Sequence, residues 1–91
     1  MIYPAIVRFL SREEGGRLNP PQSGYKPHVK IGNEHTSCCI TLKSDNVMQF
    51  GMDYEVDIEF QYGDRFAKEI KHGLNIGLYE GSKLVGHGYL K

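Results

Sequence analysis

The sequence predicts an all-β fold, a six-stranded antiparallel closed barrel that forms a single domain over residues 1–91. Short segments alternate apolar and polar residues, and glycine, proline, asparagine and aspartate cluster between them. Such alternation places successive side chains on opposite faces of a strand. The 11 glycines in 91 residues suit a tightly turned chain. Closure into a barrel is favoured because it removes the exposed edges that an open sheet would have to protect.

Each strand is predicted from its own alternation. In the first strand Ala5, Val7 and Phe9 share one face. The alternation is cleanest in the fourth strand, residues 54–60, where apolar or aromatic residues at the even positions alternate with acidic residues at the odd positions. The six predicted strands cover residues 5–10, 27–31, 38–42, 54–60, 74–79 and 84–90. Turn formers separate them at residues 19–21, 23–24, 32–33, 44–46, 51, 63–64, 72–73 and 80–83.

One segment, residues 64–71, has a helical pattern. Asp64 can cap a turn, and Phe66 and Ile70 have the i, i+4 spacing of one helix face. The segment is too short to organise the fold.

Charge and cysteine content narrow the functional class. The 11 basic residues balance 11 acidic ones, so no overall field draws the chain to nucleic acid or to an anionic membrane. Cys38 and Cys39 are adjacent in a predicted strand, which gives one buried and one surface thiol rather than a disulfide. Pro4 and Arg8 interrupt any signal sequence, and no run of 18 apolar residues occurs. These features predict a cytoplasmic protein.

Residues that could carry chemistry are scattered. The four histidines lack the close spacing of metal ligands, and no nucleophile is followed by a matching base. The prediction is therefore a protein that is not an enzyme and that uses no metal or other cofactor.

Two motifs, one near each end of the chain, carry a family resemblance. The first strand leads into Glu14-Gly15-Gly16-Arg17 and then Gly24-Tyr25-Lys26-Pro27, and the last hairpin reads Glu80-Gly81-Ser82-Lys83-Leu84-Val85-Gly86-His87-Gly88. Their order and separation resemble the third, C-terminal β-barrel domain of translation elongation factor Tu. The resemblance covers nearly the whole chain and implies a six-stranded barrel. Met1 directly before the first strand favours a stand-alone domain, with a fragment of a larger factor as the alternative.

The resemblance implies a protein-docking surface but no nucleotide hydrolysis, because the P-loop pattern is missing from the chain. Gly15, Gly16 and Arg17 match the loop that faces the GTPase domain in the family. Glycines allow a close backbone approach, and an arginine fork can pair with a carboxylate across a contact. The implied partner is a protein, with a GTPase domain in trans as the candidate. The structural alternative is that both glycines simply supply positive φ angles in a long loop.

A second surface implied by the resemblance is a tRNA contact. His28, Ser37, Glu80 and Gly81 match positions that touch the acceptor arm in the family, where His28 replaces a glutamine and Ser37 a threonine. Backbone amides, hydroxyls and a carboxylate suit the sugars and phosphates of double-helical RNA. The acidic face of the fourth strand would repel phosphates if it lay near the Glu80 turn, and a Glu-Gly turn is common in any hairpin. Weak tRNA or RNA binding is therefore the alternative to protein docking.

Overall fold

Six β-strands form the structure, a computed structural model that describes residues 2–43, 47–61, 66 and 68–91. The strands are β1 (Ile2–Phe9), β2 (His28–Ile31), β3 (Glu34–Leu42), β4 (Asp53–Phe60), β5 (Asn75–Glu80) and β6 (Lys83–Leu90). A short 3-10 helix, Arg12–Glu14, follows β1. All six predicted strands are confirmed. The largest difference is that β3 begins at Glu34 rather than Cys38, because its first residues are polar on both faces and hide the alternation.

The strands close into an antiparallel barrel in the order β1-β4-β3-β2-β5-β6. β1 pairs with both β4 and β6, which closes the ring. The predicted all-β closed barrel is confirmed. In a ring of this order β4 and β5 stand on opposite walls, three positions apart.

The connections divide between the two rims of the barrel. The β1–β2, β3–β4 and β5–β6 connections share one rim, which we call the loop rim. The β2–β3 and β4–β5 connections, the start of β1 and the end of β6 share the other, which we call the terminal rim. Lys91 N donates to Pro4 O at 3.0 Å, so the residue after β6 is hydrogen-bonded to β1 at the terminal rim.

The core is filled by the inward residues of each strand. Ala5, Val7 and Phe9 are fully buried, as the alternation in β1 predicts. Along β4 the burial alternates in the predicted phase, with Val56 and Ile58 fully inside. Burying this apolar surface is the main favourable term in folding such a small domain.

The described residues of the segment predicted as a helical turn, 66 and 68–71, include a hydrogen-bonded turn. Phe66 O accepts hydrogen bonds from the backbone N–H groups of Glu69 and Ile70, both at 2.9 Å. Phe66 and Ile70 are buried and belong to the core. The predicted cap, Asp64, lies outside the described residues. The turn therefore adds two apolar side chains to the core at the terminal rim.

The two cysteines differ in exposure as predicted. Cys38 is buried and Cys39 is half-buried, and both are free thiols. All four histidines are exposed, and the described residues contain no group of side chains that could hold a metal ion. No helix in the described ranges is long and apolar enough to cross a lipid bilayer.

Candidate functional site at the loop rim

The predicted docking loop starts with a capped turn. Ser11 Oγ accepts from Glu14 N at 3.3 Å, and Glu14 Oε1 accepts from Ser11 N at 3.0 Å, which completes a capping box around the 3-10 helix. The hydrogen bond from the Ser11 backbone lowers the pKa of the Glu14 carboxyl. The chain then leaves the turn through Gly15, whose φ of 89° lies in the left-handed region. The start of the loop is thus fixed by its own hydrogen bonds.

Gly16 is buried against the end of β1. A Cβ atom at this position would lie 2.1 Å from the carbonyl oxygen of Leu10, which no side chain can tolerate. Gly16 N also donates to Ser11 O at 2.8 Å. The two glycines therefore have different causes: Gly15 supplies a positive φ, and Gly16 allows a close backbone contact.

Arg17 is held by contacts within the chain. Its Nη1 donates to Glu80 Oε2, and its Nε donates to the carbonyl oxygen of Asn19 at 3.0 Å. The guanidinium also lies over the ring of Tyr25, 4.6 Å from the centroid, and the Tyr25 hydroxyl donates to the same Glu80 oxygen. We call this set the Arg17–Tyr25–Glu80 cluster. It joins the predicted protein-docking loop to a residue of the predicted tRNA contact.

The cluster shifts the pKa values of all three of its members, and that of Arg17 is raised by its hydrogen bonds to Tyr25 and Glu80. The hydrogen bond from Tyr25 and the pairing with Arg17 lower the pKa of the Glu80 carboxyl. Burial and the hydrogen bond to Glu80 raise the pKa of the Tyr25 hydroxyl well above its ordinary value. At neutral pH Glu80 is therefore an anion and Tyr25 a neutral donor, which is the pairing that the geometry requires.

The predicted tRNA-contact residues lie on one wall of the barrel. His28 is paired with Ser37 across β2 and β3, and with Tyr79 across β2 and β5. Glu80 follows Tyr79 directly, and Gly81, with a φ of 62°, makes the turn into β6. The fold therefore brings these four residues, far apart in sequence, to the same wall.

The acidic face of β4 lies away from the Glu80 turn but next to Ser37, because β4 pairs with β3. β4 stands opposite β5 in the ring, so its exposed carboxylates project from the far side of the barrel from Glu80. Several of them are also paired. Arg8 contacts Asp53 at 2.8 Å, Lys91 contacts Glu55 at 2.7 Å, and the other pairs are Lys43 with Glu55 and Lys43 with Asp57. The repulsion of phosphates expected from this face is therefore directed away from Glu80, but Glu59 retains it beside Ser37.

Two residues of this site were not singled out from the sequence. From the sequence Tyr25 stands out only as part of a motif, although it supplies both the ring and the hydroxyl of the cluster. Leu18, directly after the docking loop, is 65% exposed, the largest exposure among the hydrophobic residues that the structure describes. The signal for Tyr25 is its place in the Gly24-Tyr25-Lys26-Pro27 motif, but a single sequence gives no signal for the exposure of Leu18.

Comparison with known proteins identifies a distant relationship. The elongation factor Tu of the apicoplast of Theileria parva is 27% identical over 96 residues, in an alignment that covers 97% of this chain. The chain spans only 22% of the length of that relative. No protein-family model matches the chain. With the closed six-stranded barrel, this similarity makes the chain a distant homologue of elongation factor Tu and is consistent with a barrel domain of that kind.

Proposed function

We propose that this chain, a distant homologue of elongation factor Tu, is a non-catalytic module that docks a protein partner through the loop of Gly15, Gly16 and Arg17. The observation that carries the proposal is that this loop is fixed on the barrel while the next residue, Leu18, is 65% exposed. The resemblance to the factor makes a GTPase domain in trans the candidate partner.

The fixed loop lowers the cost of docking. Ordering a loop at an interface opposes binding, so a loop that is already ordered retains more of its contact energy. Here the capping box and the Arg17–Tyr25–Glu80 cluster provide that order. Arg17 therefore acts by holding the loop, and the exposed side chain of Leu18 is the apolar group offered to the partner.

A pull-down with the full chain tests the proposal. Two exposed apolar residues provide matched variants: Leu18→Ser at the loop rim, and Ile2→Ser, whose parent side chain is 63% exposed at the terminal rim. We expect a translation protein, in particular a GTPase, to be retained by the wild type and by Ile2→Ser and to be lost with Leu18→Ser. Arg17→Ala should weaken the retention. Equal retention by all four proteins, or retention of no protein, would contradict the proposal.

Weak binding of tRNA is the second candidate function, and one detail of Glu80 favours it. Both described hydrogen bonds to this carboxylate end on Oε2, from Arg17 and from Tyr25. Among the described residues none donates to Oε1, so this oxygen remains available to a ribose 2′-hydroxyl. His28 and Gly81 are exposed on the same wall as Glu80, and the acidic strand lies on the opposite side of the barrel from Glu80.

Titration with folded tRNA at low salt tests this second function. We expect affinity that falls as salt is added, because any phosphate contact releases counterions. Glu80→Gln and His28→Ala should each weaken the binding, and Glu13→Gln, an exposed carboxylate outside the four contact positions, serves as the control. Absence of binding at tens of micromolar protein in low salt would remove this function and leave protein docking untouched.

A further inference from the structure

A groove of about 480 Å³ lies on the wall formed by β3 and β4. Two small outward residues of β3, Ser37 and Cys39, line it together with Lys26, which precedes β2. Glu59 and Gln61 line it from the side of β4, and Cys39 is paired with Glu59 across the two strands. Short side chains on one strand between longer ones on its neighbours leave a trough on the outer face of a sheet. The volume falls in the range of about 300 to 1,000 Å³ that is typical of small-ligand sites.

The groove contains two opposite charges that do not neutralise each other. Lys26 and Glu59 are both exposed, and neither forms an ion pair or a side-chain hydrogen bond with any residue that the structure describes. Other carboxylates of β4 differ in this respect, since Asp53 and Glu55 each contact a basic side chain within 3 Å. A hydroxyl, a thiol and an amide also line the groove, and these groups can hydrogen-bond to a peptide backbone.

From this arrangement we infer that the groove binds a short zwitterionic peptide, with an anionic group at Lys26 and a cationic group at Glu59. The volume is larger than one amino acid needs, and the hydroxyl of Ser37 and the amide of Gln61 suit a peptide bond between the two charged groups. The groove shares no residue with the loop of Gly15, Gly16 and Arg17. The inference and the proposed docking function therefore stand or fall separately.

Cys39 supplies a reporter at the site itself. Its thiol is half-buried in the groove, whereas Cys38 is 3% exposed and its side chain lies in the core. A thiol reagent added to the folded chain therefore reports on Cys39. The probe is the tripeptide Glu-Gly-Lys with blocked ends, and its control is Gln-Gly-Gln with the same blocked ends. The measurement is the rate at which the thiol reagent modifies Cys39 as the peptide concentration is raised through the millimolar range.

We expect Glu-Gly-Lys to slow the modification of Cys39 and Gln-Gly-Gln to leave it unchanged. Lys26→Gln and Glu59→Gln should each weaken the protection about two- to fivefold, because exposed ion pairs contribute modestly. Lys30→Gln, an exposed lysine of β2 outside the groove, should behave as the wild type. Equal protection by both peptides, protection by neither, or protection that survives both groove variants would overturn the inference.

The sign of the Glu59 effect separates a peptide from a polyanion. A short RNA oligomer that occupied the groove through Lys26 would be held more tightly after Glu59→Gln, since a repelling charge is removed. A zwitterionic peptide is held less tightly after the same change. Stronger protection by an RNA oligomer in Glu59→Gln, with no protection by Glu-Gly-Lys, would therefore also overturn the inference.

Discussion

Arg17 and Glu80, 63 positions apart in the chain, form an ion pair that fastens the β1–β2 loop to the β5–β6 turn. The side chains are 26% and 39% exposed, so solvent screens the pair only partly. Tyr25 strengthens the arrangement because its hydroxyl donates to Glu80 while its ring supports Arg17. The loop and the turn therefore behave as one unit of the loop rim.

The first prediction concerns the strength of this link. In a double-mutant cycle of Arg17→Ala and Glu80→Ala, we expect a coupling of about 0.5 to 1 kcal/mol in the free energy of unfolding, in the upper range for partly exposed pairs. Urea unfolding followed by circular dichroism measures it. Arg17→Lys should recover little of the coupling, because an ammonium lacks the planar group that stacks on Tyr25. Strictly additive effects of the two alanine variants would contradict the prediction.

The second prediction is a dependence of stability on acid. The pKa of Glu80 is lowered below its ordinary value of 4.5 by the hydrogen bond from Tyr25 and by Arg17. The contribution of Glu80 to the free energy of unfolding is therefore complete above about pH 4.5. This contribution is lost as the pH falls through the lower pKa of the folded state, because the carboxyl of the unfolded chain binds its proton at a higher pH. Unfolding free energies measured from pH 7 to pH 3 should fall more steeply for the wild type than for Glu80→Gln. Tyr25→Phe should reduce the difference, and parallel profiles for all three proteins would contradict this explanation.

The third prediction distinguishes the two glycines of the loop. Gly16→Ala should lower the free energy of unfolding by about 2 kcal/mol or more, because its Cβ would overlap Leu10 O and the backbone must move. Gly15→Ala should cost about 1 kcal/mol, from the left-handed φ alone, and Gly15→Asn less, since asparagine tolerates that conformation. Chemical denaturation of the three variants measures the order. A Gly16→Ala variant as stable as Gly15→Asn would show that the contact is looser than the structure has it.

The fourth prediction concerns the two thiols. Burial raises the pKa of the Cys38 thiol to about 12, and the neighbouring Cys39 adds to the shift. At pH 8 a thiol reagent should modify Cys39 rapidly and Cys38 only after unfolding, so the folded Cys39→Ser variant should be almost inert. Stability should also fall as the pH rises above 9, because the unfolded chain then releases a proton that folded Cys38 retains. Cys38→Ala should show less of this alkaline loss, and rapid modification of both thiols in the folded chain would contradict the assignment.

The strands were predictable because their information is local. Ala5, Val7 and Phe9 already define an inward face, and the acidic residues of β4 define an outward one. The start of β3 was not predictable in the same way, since Thr36 points inward and is satisfied by donating to Gln61 O at 2.8 Å. A polar residue at a core position looks like a strand boundary until its distant partner is known.

The site could be predicted only in part, because its main contacts are between distant segments. The motifs identified Arg17 and Glu80 separately, and nothing in either motif states that they meet. The position of the acidic strand relative to Glu80 follows from the strand order, in which β4 and β5 are not neighbours. Strand order depends on the packing of the whole domain, which residue alternation does not encode. The assignments of His28, Ser37 and Gly81 to RNA, and of the Gly15 to Arg17 loop to a protein, stay predictions.

Because β1 begins and β6 ends at the terminal rim, a tag or a fused protein attached at either end is tethered on the side away from Leu18 and the Arg17–Tyr25–Glu80 cluster. Immobilisation through either end therefore leaves the loop rim facing outward. Because Lys91 is hydrogen-bonded to Pro4, the start of β1 and the end of β6 are close together, which makes the barrel a candidate for circular permutation. A short linker could connect residue 91 to residue 2, and new ends could be opened in the Gly32-Asn33 turn without cutting a strand.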